Sequence, residues 1–308
     1  MRPATLAGCG AIALWSTLGL LSRTAAALPP LQLTAMAFAV SAALGLGLLA
    51  RRGELAVLRQ RGVVWLHGVF GLFGFHAFYF AALAWAPPAE ANLINYLWPL
   101  FIVLFSAALP GMRLNRWHIA GVACGLAGCV LLLGGGAGLR AASVPGYLMA
   151  LGSALTWAVY SVLARRLAAV PTGAVAGFCT ATAILAAASH FAFEATVAPD
   201  ATMLLGVLVL GIGPVGAAFF LWDLGMKRGD PRLLATLAYA TPVISTLLLA
   251  AGGFAELTTA LAGAAALVAL GGLLAARGAL SPAARRAAPR PILRAPHPRR
   301  RAGRWWRR

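Results

Sequence analysis

The chain has 308 residues, of which 61% are hydrophobic and 10% charged, with a formal net charge of +18 and a mean hydropathy of +0.84. A soluble domain is about 45–50% apolar and about 25% charged, so this composition excludes one and calls for a bilayer as solvent. The charge does not point to a nucleic-acid partner, because residues 277–308 hold 11 arginines and no acid, leaving 14 basic against 7 acidic residues before them.

Apolar runs of about 20 residues suffice to cross the hydrocarbon core as helices. Ten are expected here: 4–22, 31–50, 63–86, 89–110, 118–135, 146–164, 172–194, 202–226, 233–251 and 257–276. The first has no small-residue cleavage signature and is followed by nine more, so it reads as a retained helix. It carries Trp15, about ten residues from its start and therefore near the midplane, too deep for an interfacial aromatic belt. The third carries His76 near its middle, Tyr79 one turn on, and Gly68-x-x-Gly71-x-x-Gly74. An ionisable group at that depth is a functional candidate, either contacting substrate or linked to a proton, against the plainer reading of a neutral core histidine.

The fourth run reads Asn92-Leu-Ile-Asn-Tyr-Leu-Trp-Pro99. Pro99 lacks an N–H and clashes with the Asn95 carbonyl, which predicts a kink and an unpaired carbonyl that water, protein or ligand must satisfy. Asn95, Tyr96 and Trp98 flank that kink. Glu90, and Glu256 at the start of the tenth run, sit where the helix dipole favours an acid, a structural role. The fifth run contains Gly121-x-x-x-Gly125-x-x-Gly128, spacing that lets helix backbones approach, and ends at Gly134-Gly-Gly136. The sixth places Trp157 at midplane depth, with Tyr160 beside it. The eighth has Trp222 and an Asp223/Lys227 pair at i,i+4 spacing, expected to be an ion pair. The ninth repeats the proline pattern in Ala235-Thr-Leu-Ala-Tyr-Ala-Thr-Pro242, with Tyr239 one turn before Pro242.

With the N-terminus in the cytoplasm, 23 of the 25 basic residues fall on the cytoplasmic side, and only Arg23 and Arg140 outside. The chain also matches itself at an offset of 142 to 143 residues: Trp15 on Trp157, Pro29 on Pro171, Pro88 on Pro231, Tyr96-x-x-Pro99 on Tyr239-x-x-Pro242, Gly121 on Gly263. Each copy has five spans, so the second enters the membrane from the opposite side. The expected fold is all-α and integral to the membrane, ten transmembrane helices in two inverted five-helix repeats (about 4–136 and 146–276). Residues 277–308 follow as a disordered, basic cytoplasmic tail that lies on anionic lipid.

No phosphate loop of the form G-x-x-x-x-G-K-[ST], no H-E-x-x-H and no G-x-S-x-G occurs. Cys9, Cys124, Cys129 and Cys179 show no C-x-x-C spacing, so no disulfide framework or metal site is expected. The expectation is a transporter without cofactor or metal, not an enzyme, working as a monomer.

These features resemble the drug/metabolite transporter superfamily with EamA-type repeats over residues 4–276, on the paired Tyr-x-x-Pro helices and the glycine-rich fifth and tenth spans. Ala13-Leu-Trp-Ser-Thr17, Asn95-Tyr-Leu-Trp-Pro99 and Tyr239-x-Thr-Pro242 are similar to bacterial aromatic amino acid exporters of that superfamily. The resemblance implies a basket of helices in the inner membrane, both termini cytoplasmic, exporting aromatic and other neutral amino acids by alternating access. A drug or other small metabolite is the alternative cargo. It also implies a substrate cavity lined by Trp15, Asn95, Tyr96, Trp98, Trp157 and Tyr239, with His76 and Tyr79 as neighbours and Pro99 and Pro242 as hinges.

Overall fold

The computed structural model describes residues 3–110, 112–133, 141–254 and 257–280. Arg2, Gly134-Gly-Gly136, Arg140, Glu256 and the tail from residue 281 lie outside the described residues. In chain order the helices are α1 (Pro3–Ser16), α2 (Leu18–Leu21), α3 (Pro30–Arg51), α4 (Gly62–Val69), α5 (Phe75–Trp85), α6 (Pro88–Asn95), α7 (Trp98–Ser106), α8 (Arg116–Leu133), α9 (Val144–Arg166), α10 (Val175–Phe193), α11 (Ala201–Ile212), α12 (Ala218–Arg228), α13 (Pro231–Ala238), α14 (Ala240–Ala251) and α15 (Thr259–Leu280). They combine into seven helical segments long and apolar enough to cross a membrane, from Pro3–Ala25 to Pro231–Ala251, and three shorter apolar helices, Glu90–Ser106, Arg116–Leu131 and Thr259–Ala275. Large side chains such as Leu66, Ile184, Phe191 and Leu205 are exposed on the outside, a surface that lipid solvates and water does not.

Two of the breaks follow from proline. The fourth segment interrupts at Tyr96 between α6 and α7, and the ninth at Tyr239 between α13 and α14. In both, the interruption falls three residues before a proline that cannot donate to the carbonyl four residues back. Two further interruptions were not expected. The third and eighth segments each contain a π-turn, Phe70–Gly74 and Gly213–Ala217, 143 residues apart, as Tyr96 and Tyr239 are. Such single turns are rare and cluster at functional sites.

Helices of the first half pack on helices of the second: α1 on α12, α3 on α10, α5 on α9, α7 on α13 and α8 on α15. Lipid is as apolar as leucine, so close backbone approach rather than the hydrophobic effect holds such pairs. The α8–α15 pair shows it best. A Cβ on Gly121 would stand 2.7 Å from the Gly271 carbonyl oxygen, and one on Gly271 2.6 Å from the Gly121 oxygen. Gly121→Val must therefore separate the two backbones and is expected to lower thermal stability in detergent by about 1–3 kcal/mol or more. An unchanged melting temperature would show the contact to be loose.

Basic groups meet at one end of the bundle. Arg165 donates to the Gly229 carbonyl (2.7 Å), Arg166 to Ala108 (3.2 Å) and Arg232 to Arg113 (2.9 Å), while Arg277 covers the Trp117 ring at 4.5 Å. Asp230 caps α13 there, accepting from the Arg232 and Leu233 N–H groups and pairing with the Arg232 guanidinium at 2.9 Å. Burial alone would raise its carboxyl, but Arg232 and the two backbone donors hold it below the ordinary aspartate value. At the opposite end Glu194 caps α3 through Leu31 and Gln32 and pairs with His190 at 2.9 Å. Glu90, buried in the first turn of α6, accepts from the Tyr147 hydroxyl.

Candidate functional site

Between the two halves lies a cavity of about 580 Å³, within the roughly 300–1,000 Å³ usual for small-molecule sites. Its wall draws on both halves: Trp15 from α1, Phe38 from α3, His76 and Tyr79 from α5, Asn95 and Tyr96 at the fourth-segment break, Trp98 from α7, Trp157 from α9, Phe219 from α12 and Thr241 and Pro242 from α14. It reaches Ser22, Leu33, Thr34 and Asn92, residues near the end of the bundle away from that cluster of basic groups.

Toward the basic end the cavity stops on indoles. Trp15 meets Trp157 edge-on at 5.6 Å and Trp222 at 5.1 Å, Trp98 meets Trp222 at 5.7 Å, and Trp157 stacks on Trp222 at 6.2 Å. Offset and edge-on pairs at these separations are the favoured geometries of aromatic rings. Trp222 is fully buried, and its indole N–H donates to the Ser161 hydroxyl at 3.0 Å. Behind it, Asp223 and Lys227 form the expected ion pair at 2.8 Å, both buried; the Thr172 hydroxyl donates to Asp223 and Lys227 donates to the Val170 carbonyl. This clasp binds α12 to the start of the seventh segment below the indole floor.

The polar groups of the wall are held by defined partners. Trp15 donates its indole N–H to the Pro214 carbonyl at 3.0 Å, a group inside the second π-turn. The His76 Nδ1 stands 2.7 Å from the Leu72 carbonyl, a group inside the first. Thus each π-turn anchors one ring of the cavity. The Ser153 hydroxyl donates to the Asn95 Oδ1 at 2.8 Å, and the Tyr79 hydroxyl to the Asn92 Oδ1 at 2.5 Å. The Thr241 hydroxyl is buried without a protein partner on the wall. No Asp, Glu, Lys or Arg lines the cavity among the described residues. A ligand with net charge would lose its hydration there without a counter-charge, at a cost of several kcal/mol.

Of the expected site residues, the structure brings Trp15, His76, Tyr79, Asn95, Tyr96, Trp98 and Trp157 to the wall, together with Pro242. Tyr239 is not among them. It is fully buried and lodges against α8, where a Cβ on Gly125 would come within 2.4 Å of its ring. The α8 glycine provides a notch that draws the ring between helices rather than into the cavity. Pro99 is buried beside the break, and Trp222 and Tyr160 sit behind the wall. Phe38, Phe75, Phe80 and Phe219 line the cavity without having been expected. In segments apolar on every side, hydrophobic periodicity names no inward face.

Comparison with known proteins agrees with this geometry. The model of the EamA-like transporter family matches twice, over residues 2–134 and 144–277. The aromatic amino acid exporter YddG of Ancylobacter novellus is 56% identical over 276 residues, covering 88% of this chain and 96% of that protein. The aromatic amino acid exporter YddG of Salmonella typhimurium is 28% identical, covering 81% and 88%. A crystal structure of a protein 56% identical in sequence superposes with a TM-score of 0.86 over 88% of this chain and 96% of its own. Two family matches in tandem, apolar helices that span both halves and a cavity where those halves meet identify the chain as a multi-pass membrane protein that belongs to the EamA-like transporter family, not an enzyme.

Proposed function

We propose that this protein exports aromatic and other neutral amino acids from the cytoplasm across the inner membrane by alternating access. The observation that carries the reading is the cavity: shared by both halves, walled by aromatic rings and uncharged polar groups, and lined by no charged side chain among the described residues. A zwitterion has no net charge to neutralise, its ends can be met by amide, hydroxyl and carbonyl groups, and its side chain can stack on indole and phenyl faces. The 56% identity to an aromatic amino acid exporter supports the same cargo.

Ten helices in two inverted five-helix repeats provide the mechanical basis. Numbering the apolar segments one to ten, the pairing α1–α12, α3–α10, α5–α9, α7–α13 and α8–α15 joins one with eight, two with seven, three with six, four with nine and five with ten. Exchanging the halves leaves that pattern unchanged, which supports a two-fold relation between them, and with five spans in each half that axis lies in the membrane plane. The paired π-turns and proline breaks support it. Pro99 and Pro242 act as hinges at those breaks. Trp15, His76, Tyr79, Asn95, Tyr96, Trp98 and Trp157 bind the cargo; Tyr239 serves its repeat as a packing counterpart of Tyr96. The basic end faces the cytoplasm with both termini, so the cavity here is directed outward. Residues 1–276 form one membrane domain that encloses its cavity in a single copy, a monomer; α15 continues to Leu280, with Arg277 over the Trp117 ring, so the expected basic tail begins four residues later than its composition suggested.

Flux of radiolabelled amino acids in proteoliposomes tests the reading. Saturable transport of Trp or Phe, with little competition by Lys or Glu, is the expected result. Transport of bulky cations with no amino acid flux would assign the cavity to drugs or other metabolites instead.

A further inference from the structure

We propose that His76 reads the ammonium group of the cargo as a hydrogen-bond acceptor through Nε2, and that the π-turn of the third segment holds it in that role; this rests on the amino acid reading above. The Leu72 carbonyl is the key. A carbonyl oxygen offers only lone pairs, so the ring nitrogen 2.7 Å away, Nδ1, must carry a hydrogen and donate. In the neutral ring the lone pair then resides on Nε2. That atom has no protein partner among the described residues, and the ring lines the cavity.

The carbonyl lies where the helix changes register. In a regular α-helix the Leu72 carbonyl would pair with the backbone N–H four residues on. At the end of the π-turn Phe70–Gly74 it takes the Phe75 N–H, and its second lone pair faces the imidazole. The ring cannot turn over without losing this bond, and four phenyl rings confine it: Phe75 at 5.1 Å and Phe38 at 5.2 Å, both edge-on, with Phe80 and Phe219 near 6 Å.

The neighbouring polar groups complement it. The Asn95 oxygen is occupied by Ser153, which leaves its amide N–H groups as donors suited to a carboxylate. The hydroxyls of Thr34 and Thr246 donate to carbonyls of their own helices. His76 is thus an acceptor whose orientation and proton pattern are both set by the backbone. It selects for a free amine at one end of the cargo, as the aromatic rings select for its side chain.

The test is equilibrium binding of radiolabelled Phe to the full-length protein in nanodiscs, competed by phenethylamine, which lacks the carboxylate, and by 3-phenylpropionate, which lacks the ammonium, each titrated to concentrations high enough to offset the desolvation cost of its net charge. Three variants are compared. H76A and H76N, whose shorter amide cannot reach the Nε2 position, are expected to weaken Phe and phenethylamine about tenfold, the worth of one good hydrogen bond, and to leave 3-phenylpropionate unchanged. H76Q places an amide oxygen near Nε2 and is expected to keep both within about threefold. Loss of 3-phenylpropionate in place of phenethylamine would assign the ring to the carboxylate and overturn the inference, as would equal weakening of all three ligands. Failure of the unmutated protein to bind Phe would instead remove the amino acid reading itself, before any variant is needed.

Discussion

Trp157→Ala is expected to abolish amino acid flux and to destabilise the protein by about 3–5 kcal/mol, the usual cost of truncating a buried large aromatic. Trp157 is 4% exposed and is the ring that others converge on: Trp15, Phe75, Phe219, Tyr160 and Trp222 all lie between 5.2 and 6.2 Å from it. Removing it breaks the floor of the cavity and frees the Trp15 ring that it braces. If the ring also holds the cargo side chain, a lost contact of about 2 kcal/mol lowers affinity about 30-fold. Trp157→Phe keeps a ring at the site and should retain measurable transport. The measurements are proteoliposome flux and the melting temperature of the purified protein. Full transport by the alanine variant would remove the indole floor from the transport mechanism.

Lys227→Met carries the second large effect. Lys227 and Asp223 are both buried, and the pair is completed by the Thr172 hydroxyl and the Val170 carbonyl. Removing the ammonium leaves a buried carboxylate with one hydroxyl for support, which costs about 3–5 kcal/mol. Replacing both charges, as in Asp223→Leu with Lys227→Met, removes the orphan and should recover most of the lost stability, because a buried pair contributes little net energy against apolar side chains of similar volume. Thermal melting of the two variants side by side decides it. A single variant as stable as the unmutated protein would show that the pair does not hold α12 to the start of the seventh segment. A recovered double variant with impaired flux would place the clasp in gating rather than in folding.

Much of the architecture was legible because membrane insertion is governed by local composition. Run lengths, the alternation of basic loops and the tandem matches are one-dimensional quantities, and the ten apolar segments follow from them. Pro99 and Pro242 were equally readable, since a missing N–H acts on the carbonyl four residues back whatever surrounds it. The midplane depth of Trp15 and Trp157 came from counting residues at 1.5 Å each.

The rest depended on facing and on register. Tyr239 matches Tyr96 in the repeat, yet one ring reaches the cavity and the other enters a notch at Gly125, a difference made by a residue more than a hundred positions away. The phenylalanines of the wall looked like any lipid-facing residue until helices from the other half were packed against them.

By itself, then, the sequence determined a basic-ended bundle of apolar helices in two related halves, bent at two prolines and carrying deep aromatic rings and one deep histidine. Only the tertiary structure decided which rings share a cavity and which nitrogen of His76 is held by the Leu72 carbonyl. The physical reason is that depth and kinks are encoded along a single helix, whereas a π-turn and the inward face of an all-apolar segment are settled only when neighbouring helices pack.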